Sequence, residues 1–325
     1  MIKVIAEIGC NHKGNFEIAK KMIRVASDCG ASIVKFQKRN NIKLLGKKGY
    51  ETPHPVESNA YGKTYGLHRD FLEFNIEQHK ELKKYCEDLN VEYSTSIWDI
   101  ISAKEVVSIK PKFIKIPSAT NLDFEIHYYL IKNFKGKIHI SLGMTTSKET
   151  EMIVNFYRKY NRLSSLVLYA CTSGYPVPPK DICLLEINNI IEKYKKYIKE
   201  YGFSGHHNGI APDIAALSLG IIQNIKSNIS FKYIERHFTL DRTWKGTDHA
   251  ASLEPDGLRK LIRDIKNVSL ALNYKNSEIL DIEWPSRRKL KTFNEDLNDI
   301  NNISASIIKT KRDSKIRYFG KLGNY

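Results

Sequence analysis

The stretch YIERHFTLDRTWKGTDHAASLEP, residues 233–255, decides the fold. It begins as an apolar strand, reaches His237 at the end of that strand and continues into an acidic loop that contains glycine. A strand that ends in histidine and precedes a polar loop is typical of the catalytic end of an α/β barrel. Upstream, FSGHHNG at residues 203–209 repeats the pattern with His206 and His207. Two such histidines on neighbouring strands could hold one metal ion.

Apolar runs rich in Val, Ile, Phe and Tyr recur along the chain, with helical patterns between most of them. Strands that alternate with helices indicate right-handed βαβ units and a parallel sheet, and eight repeats in about 240 residues match a closed barrel. We therefore predict an α/β fold, a TIM (β/α)8 barrel over residues 1–272, followed by a short C-terminal extension at 273–325. The predicted strands are 4–8, 33–36, 92–97, 113–116, 138–142, 166–170, 201–204 and 233–237.

Helical periodicity fills most of the connections between these strands. The segment 38–74 is an exception, and a loop of this length without strong periodicity is often functional. A last amphipathic helix is expected at 255–272, after which the pattern weakens. The other predicted helices are 16–29, 77–89, 100–108, 148–160, 179–196 and 212–223.

Polar residues end each of the eight predicted strands. Any single one could be a hydrogen-bonded core residue, but in a barrel all of them would converge on one mouth, where active sites of this architecture lie. The polar strand ends are Glu7, Lys35 and Gln37, Ser94 and Thr95, Lys115 and Ser118, Ser141, Thr172 and Ser173, Ser204 and His206, and Glu235 and His237.

Two kinds of chemistry follow from these residue types. Lysines 35 and 115, together with nearby serines 118, 141 and 204, suit a small substrate that carries phosphate and carboxylate, although salt bridges inside the barrel are the alternative. His237 and one of His206 and His207 could bind a divalent metal, and only one of those two should face inward because adjacent strand residues alternate. Glu7 or Asp248 could ligate the metal or act as a base.

Composition excludes several classes of protein. The net charge is +16, yet the lysines are spread along the chain, which favours a field for small anionic substrates over a nucleic-acid surface. Since no run approaches roughly 18 apolar residues and a strand follows Met1 almost at once, we expect neither a membrane span nor a signal peptide. The five cysteines lack metal-type spacing, which favours reduced thiols and a cytoplasmic protein. Cys171 is expected to pack rather than to act as a nucleophile.

At these residues the chain resembles the sialic acid synthase family, the N-acetylneuraminate synthase type of barrel enzyme. The resemblance spans residues 4–255 and continues faintly to about residue 287. The motifs that carry it are AEIGCNHKG (6–14), VKFQK (34–38), YGKTYGLHRDFLEF (61–74), FIKIPSAT (113–120), ISLGM (140–144), CTSGYP (171–176), GFSGH (202–206) and ERHFTLDRTWKGTDHAASLEP (235–255).

The resemblance implies a reaction in which phosphoenolpyruvate condenses with an open-chain N-acylmannosamine-type sugar. The products would be phosphate and a nine-carbon 2-keto-3-deoxy acid. It further implies that Mn²⁺ or Mg²⁺ is held by His206 and His237, which selects His206 over His207. Phosphoenolpyruvate would be surrounded by Lys35, Thr95, Lys115, Ser118, Ser141, Ser173 and Ser204, and the sugar would meet Glu7, Gln37, Tyr175 and Asp248.

Catalytic roles can be assigned on the same basis. The metal would act as a Lewis acid on the sugar aldehyde, so that C3 of the enol phosphate adds to it and water then attacks the oxocarbenium at C2. Glu7 is the candidate for handling the proton of that water, and Asp248 the candidate for the sugar hydroxyls.

Three departures from the family pattern concern the acceptor. Family members usually carry a C-terminal antifreeze-like domain that reaches across a dimer to the acyl group, and we expect this chain to lack it, so a homodimer is only a possible arrangement. Thr120 stands where an acidic residue often follows the fourth-strand lysine motif, and Ser173 stands in place of an asparagine.

Other acceptors therefore stay open, together with a protein that has lost turnover. The segments 61–68 and 244–255 resemble the animal-type branch, whose acceptor is phosphorylated at C6. The alternatives are N-acetylmannosamine 6-phosphate or mannose 6-phosphate as acceptor, a related synthase for arabinose or erythrose phosphates, and a non-catalytic sugar-acid-binding homologue.

Overall fold

The computed structural model describes residues 2–291, and Met1 and the predicted extension from residue 292 onward lie outside the described part. Eight parallel strands pair in chain order, and β8 pairs with β1 to close the barrel. The prediction of a TIM barrel is confirmed. The strands are β1 (Lys3–Gly9), β2 (Ile33–Lys38), β3 (Glu92–Ile97), β4 (Phe113–Ile116), β5 (Lys137–Ser141), β6 (Leu166–Cys171), β7 (Glu200–Gly205) and β8 (Ser230–His237).

Helices connect the strands, and most begin at a side-chain cap. Asn15, Asn75 and Thr146, for example, each accept a hydrogen bond from a backbone N–H of the first turn. The helices are α1 (Phe16–Asp28), α2 (Asn41–Glu51), α3 (Tyr65–Leu72), α4 (Ile76–Asp88), α5 (Ile100–Ser108), α6 (Phe124–Asn133), α7 (Ser147–Lys159), α8 (Glu186–Tyr194), α9 (Ala211–Lys226), α10 (Pro255–Ala271) and α11 (Trp284–Leu290).

The helix predictions need three corrections. The segment 38–74 contains α2 and α3, which the weak apolar pattern concealed, and Gly46 interrupts α2 with a φ of 62°. Helix α6 was not predicted, although Asp123 caps its first turn. The helix expected at 179–196 is instead a short 3₁₀ turn followed by α8, because Cys183 between them has a φ of 53°, outside the helical region.

Contacts divide the chain into two compact units, Met1–Leu272 and Asn273–Tyr325. The first holds the barrel and helices α1–α10. In the second, the described residues form a short 3₁₀ turn at Asp281–Glu283 and helix α11. Within residues 2–291, no helix is long and apolar enough to cross a membrane.

Side chains inside the barrel form layers because alternate strand residues point inward. The layer at the amino-terminal end is a cluster of apolar and aromatic side chains that His139 joins by stacking on Phe113, with ring centroids 3.8 Å apart. His139 also bonds the Tyr169 hydroxyl at 2.8 Å. This layer closes the barrel from below and supports the polar residues above it. The cluster comprises Ile5, Ile33, Phe113, Val167, Tyr169 and Tyr233.

Candidate active site

Two lysines and two glutamates form the layer above the aromatic cluster, and all four side chains are buried. Lys35 makes an ion pair with Glu7, and its Nζ donates to Ser96 Oγ at 2.7 Å. Lys115 Nζ lies 3.2 Å from both carboxylate oxygens of Glu235 and 3.5 Å from the ring centre of Tyr169. Because each buried charge has an opposite partner, the barrel can hold them without water.

The two carboxyl groups differ in protonation. Burial is the largest influence on Glu7 and raises its pKa to about 7, although Lys35 opposes it. Burial would also raise the pKa of Glu235, but Lys115 and Lys35 outweigh it and lower that pKa to about 2. Glu235 therefore stays ionised, whereas Glu7 can exchange a proton near neutral pH.

The hydroxyl groups expected around a phosphate lie on the β4 to β7 side of the same cavity. Ser118, Ser141, Ser173 and Ser204 all line it. Ser204 Oγ donates to Glu235 Oε1 at 2.9 Å. The cavity has a volume of about 240 Å³ and lies next to a second cavity of about 500 Å³, with Met144, Cys171 and Ser173 in both walls.

His206 and His237 lie at the mouth, with ring centroids 5.4 Å apart. His206 Nδ1 donates to the Thr172 carbonyl at 2.9 Å, which leaves Nε2 as the free ring nitrogen. His237 is kept neutral because burial lowers its pKa to about 4, and its Nδ1 is buried with no hydrogen-bond partner within residues 2–291.

These two imidazoles fit a divalent cation, since imidazole nitrogen suits transition metals and a carbonyl fixes the His206 tautomer. Burial lowers the pKa of His206, but Cys171 and the Thr172 carbonyl outweigh burial and raise it, so a metal bound there would displace a proton. In the described part of the chain, no third His, Cys, Asp or Glu completes a protein ligand set. The remaining positions would therefore fall to water or to substrate oxygen atoms.

Tyr175 and Asp248 lie at the rim beside the histidines. The half-exposed ring of Tyr175 is 4.4 Å from His206 between centroids. Asp248 Oδ2 lies 3.9 Å from His237 Nδ1, but Asp248 is not among the residues that line the cavity. Burial opposes ionisation of Asp248, yet His237 and Thr247 more than compensate and lower its pKa.

The structure shows which of His206 and His207 faces inward. His206 lines the cavity, whereas His207 points away from it and lies 3.2 Å from Asp213 and 3.0 Å from Arg236. Cys171 Sγ is 4.0 Å from His206 Nδ1, which already donates to a carbonyl. Burial raises the pKa of the Cys171 thiol, but His206, Lys115 and Ser118 outweigh burial and lower it, and the expectation that Cys171 packs rather than acts as a nucleophile stays a prediction.

One predicted site residue is placed wrongly. Thr95 pairs with Phe36 on the outer face of β3, is completely buried there and does not line the cavity. Ser96, the next residue, points inward and bonds Lys35. The period of two along β3 puts Ser94 and Ser96 on one face, so strand alternation could have excluded Thr95.

Two residues for which the sequence predicted no role belong to the hydrogen-bond network of the site. Glu235 holds Lys115 and Ser204, and its position at a strand end was the only sequence signal. Arg39, just beyond β2, is buried beside Gln37, and nothing in its spacing pointed to the site. The predicted residues that do line the cavity are Glu7, Lys35, Gln37, Lys115, Ser118, Ser141, Ser173, Tyr175, Ser204, His206 and His237.

Known proteins resemble this chain over most of its length. It is 36% identical to N-acetylneuraminate-9-phosphate synthase of Homo sapiens, over 88% of this chain and 76% of that protein. It is 31% identical to N,N'-diacetyllegionaminic acid synthase of Campylobacter jejuni, over 83% and 77%. The crystal structure of an N-acetylneuraminic acid synthetase from Leptospira borgpetersenii superimposes with a TM-score of 0.72, covering 89% of this chain and 92% of that one at 24% identity.

The barrel, its site and these relatives define the class of protein: an enzyme, specifically a phosphoenolpyruvate-dependent transferase of the sialic acid synthase type that forms carbon–carbon bonds. The family model that matches residues 22–277 is that of NeuB. The chain belongs to the NeuB family.

Proposed function

We propose that the enzyme condenses phosphoenolpyruvate with an N-acylmannosamine-type aldose to give a nine-carbon 2-keto-3-deoxy acid and phosphate. The observation that carries this proposal is the stacking of two binding regions in one barrel. Buried Lys35 and Lys115 lie below, and His206 and His237 lie at the mouth. One region suits an anion and the other a metal-bound sugar.

Phosphoenolpyruvate would occupy the lower region, between the lysines and the four cavity-lining serines. The formal charges of Lys35, Lys115, Glu7 and Glu235 cancel when all four are ionised, so an added anion would make the region negative. Bound phosphoenolpyruvate would raise the pKa of Glu7 above its value of about 7, which makes the ionised carboxylate a stronger base. Glu7 is thus suited to take up the proton of the water that attacks C2.

The sugar would lie above, between Gln37, Tyr175 and Asp248. A divalent metal on His206 and His237, when bound, would polarise the aldehyde oxygen. Asp248 carries a lowered pKa and would accept hydrogen bonds from sugar hydroxyls as a carboxylate. Tyr175 would cover the open side of the sugar from the rim.

A C6-phosphorylated acceptor is the variant of this reaction that the rim favours. Arg69 acts on the charge of Asp248, and Lys245 contributes positive charge near His68 on the same loop cluster. Such cations would pair with a phosphate at the far end of the sugar. The human relative is named for a 9-phosphate product, the position that C6 of the sugar becomes.

An acceptor panel tests the function. Phosphate release from phosphoenolpyruvate would be measured with Mn²⁺ and N-acetylmannosamine, N-acetylmannosamine 6-phosphate or mannose 6-phosphate, and a reaction without acceptor gives the background. We expect kcat/KM to be roughly 10- to 100-fold higher for the 6-phosphate than for the free N-acylated sugar, the value of one charge-assisted contact. A preference for the free sugar would contradict the phosphate assignment. If none of the three acceptors raises phosphate release above the background, the result would favour a binding protein.

Metal removal should abolish turnover, and variants of His206 and His237 should bind Mn²⁺ more weakly than a variant of a histidine outside the site. Chelation followed by dialysis is expected to stop phosphate release, and Mn²⁺ should restore it. His206→Gln and His237→Gln should bind Mn²⁺ at least about 100-fold more weakly by electron paramagnetic resonance. His127→Gln is the control, because His127 bonds Tyr157 and the Asn121 carbonyl on the outside of the barrel. Unchanged Mn²⁺ binding in the site variants would contradict the metal assignment.

A further inference from the structure

Arg39 follows β2 and is 4% exposed. Its guanidinium NH2 donates to Gln37 Oε1, and NH1 lies 3.3 Å from Glu73 Oε1 and 3.4 Å from Cys10 Sγ. Gln37 Nε2 donates in turn to Glu7 Oε1 at 3.0 Å. A chain of hydrogen bonds therefore runs from a residue outside the cavity to the carboxyl group at its centre.

The guanidinium decides which way the Gln37 amide faces. An arginine side chain has only donors, so the amide oxygen must face Arg39 and the amide nitrogen must face Glu7. The space beside the amide is narrow, since a Cβ on Gly9 would lie 3.0 Å from Gln37 Nε2 and 3.3 Å from Glu7 Oε1. Gly9 also has a φ of +55°, a conformation that glycine adopts without strain.

Arg39 is itself held firmly. Glu73, just beyond α3, accepts from the backbone N–H of Arg39 at 3.0 Å as well as facing its guanidinium. The guanidinium also lies over the ring of Trp98, 3.9 Å from its centre, and Trp98 lines the cavity. The arrangement is therefore pre-organised, and Gln37 meets a fixed partner.

We propose that Arg39 is a positioning residue of the acceptor site, which locks the Gln37 amide so that its N–H groups serve Glu7 and the sugar. The inference rests on the proposed function, because Gln37 is the residue through which Arg39 acts on the sugar. Without Arg39 the amide can rotate by half a turn. Its oxygen would then meet Glu7, and the cavity would lose a donor.

A double-mutant cycle tests whether Arg39 fixes the orientation of the Gln37 amide. Arg39→Met, Gln37→Met and the double variant would be compared by kcat, by KM for each substrate and by melting temperature. We expect each single change to lower kcat roughly 10- to 100-fold, the value of a hydrogen bond that involves a charged group, and the double change to cost no more than one of them. KM for phosphoenolpyruvate should change less than about 3-fold, because Arg39 makes no contact with the lysine pair.

Arg162→Met is the matched control. Arg162 is a partly buried arginine whose guanidinium donates to the carbonyls of Ile131 and Phe134, far from the cavity. Its loss should lower the melting temperature and leave kcat within about 2-fold, as expected for a purely structural role. Arg39→Lys keeps the positive charge but lacks the planar guanidinium with its several N–H donors, and it should lose activity like Arg39→Met.

Three results would overturn the inference: turnover within 2-fold of wild type in Arg39→Met, additive losses in the double variant, or full activity in Arg39→Lys. If Arg39→Met does not fold, Arg39→Lys and Gln37→Met supply the same comparison. An inactive wild type would overturn the proposed function and this inference with it. An active wild type whose turnover is unchanged by Arg39→Met would overturn the inference alone.

Discussion

Glu7→Gln should lower kcat by roughly 10²- to 10⁴-fold, the range that general acid–base groups contribute, while phosphoenolpyruvate binding stays measurable. Glutamine has nearly the same shape, and its single amide oxygen can still accept a hydrogen bond from Lys35, so the anion region persists although the contact with Gln37 is lost. It cannot take up a proton at neutral pH. Calorimetric titration with phosphoenolpyruvate would give the binding, and phosphate release would give the turnover.

The pH dependence of the wild type provides a second measure of the same role. A base must be ionised to act, and burial raises the pKa of Glu7 to about 7. We therefore expect kcat/KM, which reports the free enzyme, to fall as the pH is lowered through about 7. Glu92→Gln is the control, because Glu92 pairs with Lys3 and Lys112 at the opposite end of the barrel. Full activity of Glu7→Gln would exclude the proposed role.

Glu235→Gln is expected to destabilise the ligand-free protein by about 3–5 kcal/mol, the cost of leaving a buried charge without its partner. Lys115 would lose both of its contacts to carboxylate oxygen, each now 3.2 Å long. For a domain of this size the change corresponds to a fall in melting temperature of about 10 °C. Differential scanning calorimetry would measure it.

Anions should reverse part of this loss. Inorganic phosphate or phosphoenolpyruvate can neutralise the unpaired lysine, so either should raise the melting temperature more in Glu235→Gln than in wild type. Glu200→Gln is the matched control, because Glu200 pairs with Lys137 and Lys232 in a partly exposed position. Such pairs contribute at most about 1 kcal/mol. Equal stability losses in the two variants would show that Glu235 has no special role in the charge cluster.

Sequence patterns were sufficient for the barrel because a parallel strand needs a short β-branched or aromatic run, and eight such runs stand out. They failed where the local signal is weak. Helix α6 itself contains several aromatic residues, in a pattern that resembles a strand as much as a helix, and α2 contains a glycine with non-helical geometry. In these segments tertiary contacts outweigh intrinsic preference.

The site residues also divide into those that the sequence predicted and those that it did not. Most of the polar strand ends line one cavity, because closure of the sheet brings the strand ends to one mouth. Thr95 was misassigned although its neighbours in the chain contained the correction, since alternation places Ser96 inward. Arg39 could not be identified, because its partner Glu73 lies 34 residues away across α2 and α3.

The sequence by itself determined the eight strands, the polar residues at their ends and the expectation that one histidine from each of two neighbouring strands faces the cavity. Only the tertiary structure decided which charges are partners. Lys115 and Glu235 are 120 residues apart in the chain and meet because β8 pairs with β1 and closes the barrel. Both carboxyl groups are buried there, and their different partners separate the two pKa values, because Lys115, Lys35 and Ser204 stabilise the charge of Glu235 more than Lys35 stabilises that of Glu7.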